Sequence, residues 1–200
     1  MPLTPGLLIA FEGLDQSGKE TQAQHLAGGL TRLERHVRLA SFPDYATPIG
    51  REIGRALHGE QEYPPDVMQL LYIANRYERK PDLAGWIAAG DIVLCDRYLA
   101  SSVAYGETQG LDPAWLLDTQ RHLPQPDLTI LLDIAPATAV ARKAVGRDRY
   151  ERDLALLTRV RESYRRLARS HGWVSFDGER PKDDLAREIL GTVSARLVAA

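Results

Sequence analysis

Apolar residues along the chain fall into two patterns that alternate from one end to the other. Short continuous runs rich in Leu, Ile, Val and Phe predict strands buried on both faces, as in a parallel sheet covered by helices. The intervening stretches carry apolar residues three or four positions apart and predict helices. The predicted strands are 7–11, 37–42, 92–95, 128–134 and 173–176, and the predicted helices are 22–33, 65–77, 113–122, 136–145, 153–171 and 183–198.

This strand and helix order predicts an α/β fold with a parallel sheet, folded as a single domain over residues 1–200. We find no internal repeat, no low-complexity tract and no long linker. The one dense charge cluster, GRDRYERD at 146–153, lies between two predicted helices. It is either a mobile lid or a solvated helix start.

Charge and cysteine content narrow the classes of partner. With 25 basic and 27 acidic residues the net charge is −2, so the chain has no excess positive field for a nucleic-acid polymer. Cys95 is the only cysteine, which excludes an intrachain disulfide and a thiolate zinc site and favours a cytoplasmic location. The first residues lack a signal-peptide pattern and no apolar run approaches the ~20 residues of a membrane span, so we expect no membrane insertion.

A phosphate-binding loop follows the first predicted strand. GLDQSGK at 13–19 fits the G-x-x-x-x-G-K pattern directly after LLIAF. In this pattern, backbone N–H groups and the start of the next helix face the phosphates, and Lys19 reaches the β and γ oxygens. The candidate ATP-binding residues are Gly13, Leu14, Asp15, Gln16, Ser17, Gly18, Lys19, Glu20 and Thr21.

The loop departs from the usual pattern at one position. Glu20 stands where a Ser or Thr hydroxyl normally binds Mg²⁺. Glu20 either holds the ion, directly or through water, or points away while Asp15, Asp96 and the phosphates carry it. Two other interpretations stay open at this point: a chance glycine turn, and a loop that binds nucleotide without catalysis.

A second motif ends the strand predicted at 92–95. DIVLCDRY places Asp96 and Arg97 at the carboxyl end of a parallel strand, which is where such sheets bind ligands. Asp96 can bind Mg²⁺ and Arg97 can grip a phosphate with two hydrogen bonds. The alternative is an ordinary Asp-Arg pair that caps the following helix.

Five segments in order, GLDQSGKETQ, FPDY, LYIANR, DRYLASSVAY and DRYE, together resemble bacterial thymidylate kinases. The resemblance implies a P-loop NTPase fold with a five-stranded parallel sheet, a short lid at about 145–153, and a homodimer. It also implies transfer of the γ-phosphate of ATP to thymidine 5′-monophosphate for DNA precursor synthesis, with Mg²⁺ as cofactor.

The same resemblance implies roles for individual residues. Asp15 would accept a hydrogen bond from the sugar 3′-hydroxyl, Arg97 would hold the acceptor phosphate, and Arg142 would lie near the adenine. Tyr72 would stack on the thymine, Arg76 would bind its edge, and Tyr105 would crowd the sugar 2′ position. The full set of implied acceptor residues is Asp15, Phe42, Pro43, Tyr45, Arg51, Tyr72, Arg76, Arg97, Ser101, Ser102, Tyr105, Tyr150 and Glu151.

The family is divided by the position of a catalytic arginine, in the P-loop or in the lid. Gln16 occupies the P-loop position and supplies no charge, whereas the lid offers Arg147, Arg149 and Arg152. The chain therefore resembles the lid-arginine type, with Arg149 as the best match. The implied catalytic set is Lys19, Arg97, Arg149 and Asp15; the alternative for any one lid arginine is a solvated basic patch.

Two rival functions remain at the level of sequence. One is a kinase of the same architecture that acts on deoxynucleosides or other nucleoside monophosphates. The other is a nucleotide switch or binding module, although the chain lacks the N/T-K-x-D motif that reads guanine. Because a methyl group is worth only ~1–3 kcal/mol, we also expect some turnover of deoxyuridine monophosphate.

Overall fold

The computed structural model describes residues 6–142 and 153–199. Strands and helices alternate along these residues as the apolar pattern predicts. The strands are β1 (Leu7–Glu12), β2 (Val37–Ser41), β3 (Ile92–Asp96), β4 (Leu128–Asp133) and β5 (Val174–Asp177). The helices are α1 (Lys19–Arg32), α2 (Pro48–Leu57), α3 (Pro65–Ala88), α4 (Leu99–Glu107), α5 (Pro113–Asp118), α6 (Pro136–Arg142), α7 (Leu154–His171) and α8 (Lys182–Ala199).

The five strands form one sheet in the order β2-β3-β1-β4-β5, and every pair is parallel. This confirms the predicted five-stranded parallel sheet flanked by helices. The three central strands are almost entirely buried, whereas the edge strands β2 and β5 expose alternate or adjacent positions. The expectation of strands buried on both faces therefore holds for the centre of the sheet and is wrong for its edges.

The central strand β1 shows how the helices cover both faces of the sheet. Ile9 and Phe11 pack into a cluster with residues of α1 and α8. Leu8 and Ala10 point the other way and pack with Leu83 of α3. The strands β1, β3 and β4 end in the acidic residues Glu12, Asp96 and Asp133, at the edge where parallel sheets bind ligands.

Several helices differ from the sequence prediction. Helix α3 continues through Pro81 to Ala88 instead of ending at residue 77, because Leu83 beyond the proline is fully buried against the sheet. Helices α2 and α4 were not predicted. Helix α4 is buried on nearly every side, so its sequence carries no amphipathic period.

The remaining boundary differences are small. Helix α1 begins three residues earlier than predicted and α5 ends at Asp118 rather than at residue 122. The predicted lid at about 145–153 lies outside the described residues except for Asp153, whose carboxylate caps α7 by accepting a hydrogen bond from the Leu156 amide at 2.9 Å. None of the described helices is both long and apolar enough to cross a bilayer.

The turn at Phe42–Tyr45, which follows β2, rests directly on helix α2. A Cβ placed on Gly50 would lie 1.7 Å from the Asp44 carbonyl oxygen, so no larger residue fits there without moving the turn. Asn75 of α3 holds the same turn from the other side, because its side-chain oxygen accepts a hydrogen bond from the Asp44 amide at 2.7 Å. The turn is thus fixed by a helix on each side.

We expect Gly50→Ala to lower the free energy of unfolding by about 1–3 kcal/mol, because the added methyl overlaps backbone. The matched control is Gly54→Ala, one turn later in α2, where a Cβ would make an ordinary 3.5 Å contact with the Tyr45 ring. Helix propensity should make that variant equally stable or up to about 1 kcal/mol more stable. Urea unfolding of both variants is the measurement, and equal effects would contradict the close approach at Gly50.

Candidate active site

The loop between β1 and α1 has the strained backbone that an anion-binding loop needs. Gly13, Gln16 and Gly18 have positive φ angles of 140°, 63° and 94°. A Cβ on Gly13 would lie 2.4 Å from the Leu132 carbonyl oxygen, so only glycine fits between the loop and β4. Helix α1 starts at Lys19, and its first N–H groups face the concavity.

Lys19 is folded over this loop. Its ammonium group donates a hydrogen bond to the Leu14 carbonyl oxygen at 2.8 Å, and the residue is 5% exposed. Burial, together with the nearby Arg97 guanidinium, lowers the pKa of Lys19 to about 8. An anion that binds in the loop therefore meets the buried Lys19 ammonium group and supplies negative charge that compensates it.

Two carboxylates were predicted as metal ligands beside this loop, in addition to Asp15. Asp96 lines the loop cleft, and one of its carboxylate oxygens is buried without a hydrogen-bond partner. Glu20 is exposed and accepts a hydrogen bond from Gln24 at 3.2 Å. Across residues 6–142 and 153–199, no group of three or more acidic, His or Cys side chains is arranged around a common metal position. Asp96 alone has an uncommitted buried oxygen, which suits a cation that takes its other ligands from phosphates and water.

Asp15 is held in an ion pair with Arg97. The Arg97 Nη2 atom donates to the Asp15 Oδ1 atom at 2.7 Å, and the Tyr105 hydroxyl lies 3.4 Å from Oδ2. Burial alone would lower the pKa of Arg97, but the Asp15 carboxylate raises it well above the ordinary value. Arg97 is thus a permanent cation paired with Asp15.

Arg97 owes its position to a buried carboxylate that sequence analysis missed. Glu12, the last residue of β1, is fully buried and accepts hydrogen bonds from the amides of Tyr98 and Ser101, from the Ser101 hydroxyl and from the Tyr164 hydroxyl at 2.7–3.3 Å. Arg97 donates to the same Ser101 and Tyr164 oxygens, each at 3.2 Å, while its backbone sits at a positive φ of 62°. A non-glycine residue in this region persists only where its surroundings hold it.

A second cleft lies on the far side of the Asp15–Arg97 pair. Arg76 of α3 is buried in its wall, where it donates to the Ser102 hydroxyl at 2.8 Å and to the Gln120 side-chain oxygen at 3.1 Å. Burial lowers the pKa of Arg76. The cleft is lined by Asp15, Phe42, Pro43, Tyr45, Leu57, Gln69, Tyr72, Arg76, Arg97, Ser101, Ser102 and Tyr105.

The two clefts adjoin each other. Asp15 lines both, and the loop cleft has a volume of about 480 Å³ whereas the second has about 100 Å³. The smaller volume is below the ~300 Å³ of a typical ligand pocket. It suits a small planar group, since Tyr72 and Tyr105 are among its lining residues.

Most of the predicted site residues come together at these clefts. Arg142 joins them at the loop cleft, where it donates to the carbonyl oxygens of Gln16 and Gly178, each at 3.0 Å. Arg51 does not line either cleft and donates to the Ala46 carbonyl oxygen instead. The lid residues Arg149, Tyr150 and Glu151 lie outside the described residues.

Sequence analysis missed Glu12, Tyr164 and Gln120. A charged residue at the end of an apolar strand was the one available signal for Glu12. Tyr164 is 152 positions from Glu12 in the chain, and Gln120 lies in a stretch without a motif, so only the folded chain brings them to the site.

Comparisons with known proteins agree with this arrangement. The thymidylate kinase family model matches residues 11–189. A thymidylate kinase from Schizosaccharomyces pombe is 34% identical over 194 residues, covering 94% of this chain and 92% of the relative. A probable thymidylate kinase from Pyrobaculum calidifontis is 34% identical over 197 residues, covering 96% and 98%.

Structural comparison gives the same result. The structure of thymidylate kinase from Candida albicans matches with a TM-score of 0.85 and 28% identity, covering 96% of this chain and 92% of that one. Most of the relatives are eukaryotic, so these comparisons support the family and not its bacterial branch. The chain belongs to the thymidylate kinase family, the enzymes that transfer a phosphate from ATP to thymidine monophosphate.

Proposed function

We propose that this chain uses its two adjoining clefts to bring the γ-phosphate of ATP to the phosphate of thymidine monophosphate, giving thymidine diphosphate for DNA precursor synthesis. The observation that carries the proposal is that the Asp15–Arg97 pair lies between the two clefts. One cleft contains the phosphate-binding loop, and the other has an aromatic side and a buried arginine. Triphosphate binds at the loop, and the base and sugar of the acceptor bind beyond Arg97.

The acceptor is oriented by aromatic side chains, by a hydrogen-bond donor and by a hydrogen-bond acceptor. Tyr72 offers an aromatic face for the base and Arg76 a donor for a base carbonyl oxygen. Asp15 accepts a hydrogen bond from the sugar 3′-hydroxyl, and Tyr105 beside it limits space at the 2′ position. Phe42, Pro43 and Tyr45 form the outer wall, and Ser101 and Ser102 the floor.

Chemistry at this site requires positioning and positive charge rather than a covalent intermediate. An oxygen of the acceptor phosphate, already an anion near neutral pH, attacks the γ-phosphorus in line while the bond to the β-phosphate oxygen breaks. Lys19 neutralises charge on the transferred group from one side and Arg97 neutralises the acceptor phosphate from the other. No general base is needed, because no proton leaves the attacking oxygen.

Mg²⁺ fits the loop cleft through Asp96, whose buried oxygen has no hydrogen-bond partner. When bound with ATP, the ion neutralises phosphate charge. Asp15 is a weaker ligand candidate because it pairs with Arg97. Glu20, whose carboxylate accepts a hydrogen bond from Gln24, is the other candidate, acting through water.

Calorimetric Mg²⁺ titration of the ATP complex of Asp96→Asn should give weaker Mg²⁺ binding than in the wild type.

A lid arginine supplies the remaining charge in this proposal. Gln16 has no charge to offer from the P-loop, which supports the lid-arginine type, with Arg149 over the transferred phosphate and Tyr150 and Glu151 toward the acceptor. Arg142 stays on the adenine side.

Arg149→Ala should lower kcat far more than the control variant Arg159→Ala. Arg159 is an exposed arginine on α7.

We further propose a single nucleoside monophosphate kinase domain over residues 1–200, with a lid at about 145–153, that forms a homodimer in the cytoplasm. The support is the one five-stranded sheet, which has helices packed on both faces, and the single buried cysteine. Sedimentation equilibrium should give twice the chain mass of 22.3 kDa.

The proposed reaction is tested by measuring ADP release from ATP and Mg²⁺ with a panel of acceptors. We expect rapid turnover of thymidine monophosphate, slower turnover of deoxyuridine monophosphate, and little with deoxycytidine monophosphate, adenosine monophosphate or thymidine. Lys19→Met should remain folded and lose at least about 1,000-fold in kcat. Tight ATP binding with no turnover of any acceptor would contradict the proposal and favour a binding module.

The lowered pKa of Lys19 makes ATP binding depend on pH. The free protein loses the Lys19 proton near pH 8, and bound phosphates raise that pKa by adding negative charge. As pH rises through about 8, ATP binding should therefore take up an increasing fraction of a proton, and ATP affinity should fall. Calorimetry in buffers of different ionisation enthalpy measures this proton uptake. Lys19→Met should take up no proton on binding ATP. Equal proton uptake in both proteins would contradict the assignment of the proton to Lys19.

A further inference from the structure

Helix α3 presents two polar side chains from the same face to the second cleft, which we call the acceptor cleft. Gln69 and Arg76 are seven residues apart, which is close to two helical turns, and both line the cleft. Gln69 is 1% exposed and Arg76 is 2% exposed. No role was assigned to Gln69 from the sequence, because a glutamine in a helix carries no motif.

The two side chains leave complementary hydrogen-bonding atoms unused. The Gln69 Oε1 atom, an acceptor, and the Arg76 Nε atom, a donor, are both buried without a partner in the structure. Arg76 makes its hydrogen bonds to Ser102 and Gln120 through Nη1 instead. Buried polar atoms are nearly always paired in proteins. Because Gln69 and Arg76 both line this cleft, a ligand bound there can supply the partners that their two atoms lack.

Packing holds the stem of Gln69 in place at this wall. A Cβ placed on Gly106 of α4 would lie 3.4 Å from the Gln69 Cγ atom, so the two helices enclose the side chain closely. The last torsion of a glutamine side chain is soft, and the amide can turn its oxygen toward a ligand without moving the stem. The aliphatic part of the Gln69 side chain is therefore held in place, whereas its terminal amide can rotate.

We propose that Gln69 is a specificity-determining residue that reads the N–H of the acceptor base. This inference rests on the proposed function. Thymine and uracil present a ring N3–H next to a carbonyl oxygen, and an acceptor and a donor that line the same cleft can bond this pair of groups. Gln69 accepts from N3–H while Arg76 donates to the adjacent carbonyl oxygen.

This arrangement explains selectivity that a methyl pocket cannot supply. Cytosine has no hydrogen on N3 and carries an amino group where thymine has the adjacent carbonyl oxygen. If the Gln69 amide turns its NH2 group toward N3, Arg76, which can only donate, still faces a donor, so the pair accepts the thymine edge and not the cytosine edge. A site built to bond a substrate N–H discriminates strongly against an analogue that lacks it, because its own polar group stays buried and unpaired. Uracil keeps the same edge as thymine and is not rejected by Gln69.

The test compares thymidine monophosphate with its 3-deaza analogue, in which a C–H replaces N3–H and the adjacent carbonyl oxygen becomes a ring hydroxyl. We expect the wild-type enzyme to prefer thymidine monophosphate by at least about 10-fold in kcat/KM. In Gln69→Met, which keeps the length of the side chain, kcat/KM for thymidine monophosphate should fall, and the ratio between the two substrates should fall well below its wild-type value. The altered 4-oxygen of the analogue is common to both proteins and does not affect this comparison. The analogue itself should be turned over at the wild-type rate.

Gln109→Met is the matched control. Its amide atoms are likewise buried without a partner, but it does not line the acceptor cleft, so its substrate ratio should equal that of the wild type. Equal losses for both substrates in Gln69→Met, or an unchanged ratio, would overturn the role of Gln69. A wild-type enzyme that phosphorylates other monophosphates but not thymidine monophosphate would overturn the proposed function itself, which separates the two failures.

Discussion

The buried carboxylate of Glu12 is the interaction on which the rest of the site depends. A carboxylate removed from water is costly unless hydrogen bonds compensate it. Glu12 receives them from the first amides of α4, from the Ser101 hydroxyl and from Tyr164 of α7. The end of the central strand is thereby joined to two helices that the chain supplies about 90 and 150 residues later.

This junction fixes the position of Arg97 at the clefts. Arg97 lies between Glu12 and the clefts, and it shares the Ser101 and Tyr164 hydroxyls with Glu12 while its guanidinium reaches Asp15. The positive φ of Arg97 is retained because these contacts hold it. A cation fixed in this way is in place at the cleft before any anion binds.

The sequence predicted what depends on local pattern and missed what depends on tertiary contact. The five strands, the phosphate-binding loop and the position of Arg97 follow from apolar runs and short motifs. Helix α4 could not be seen because it is buried on most sides and has no amphipathic period. Glu12 and Gln69 could not be assigned because their surroundings come from residues distant in the chain.

The most direct measurement of this account is steady-state kinetics of Glu12→Gln, a change that keeps the shape of the side chain and removes its charge. If Glu12 positions Arg97 for the acceptor phosphate, kcat/KM for thymidine monophosphate should fall by about 100-fold while KM for ATP stays within about twofold. Tyr164→Phe, which removes one of the shared hydroxyls, should shift the same parameter in the same direction by less. Unchanged kcat/KM for thymidine monophosphate in a folded Glu12→Gln enzyme would contradict the account.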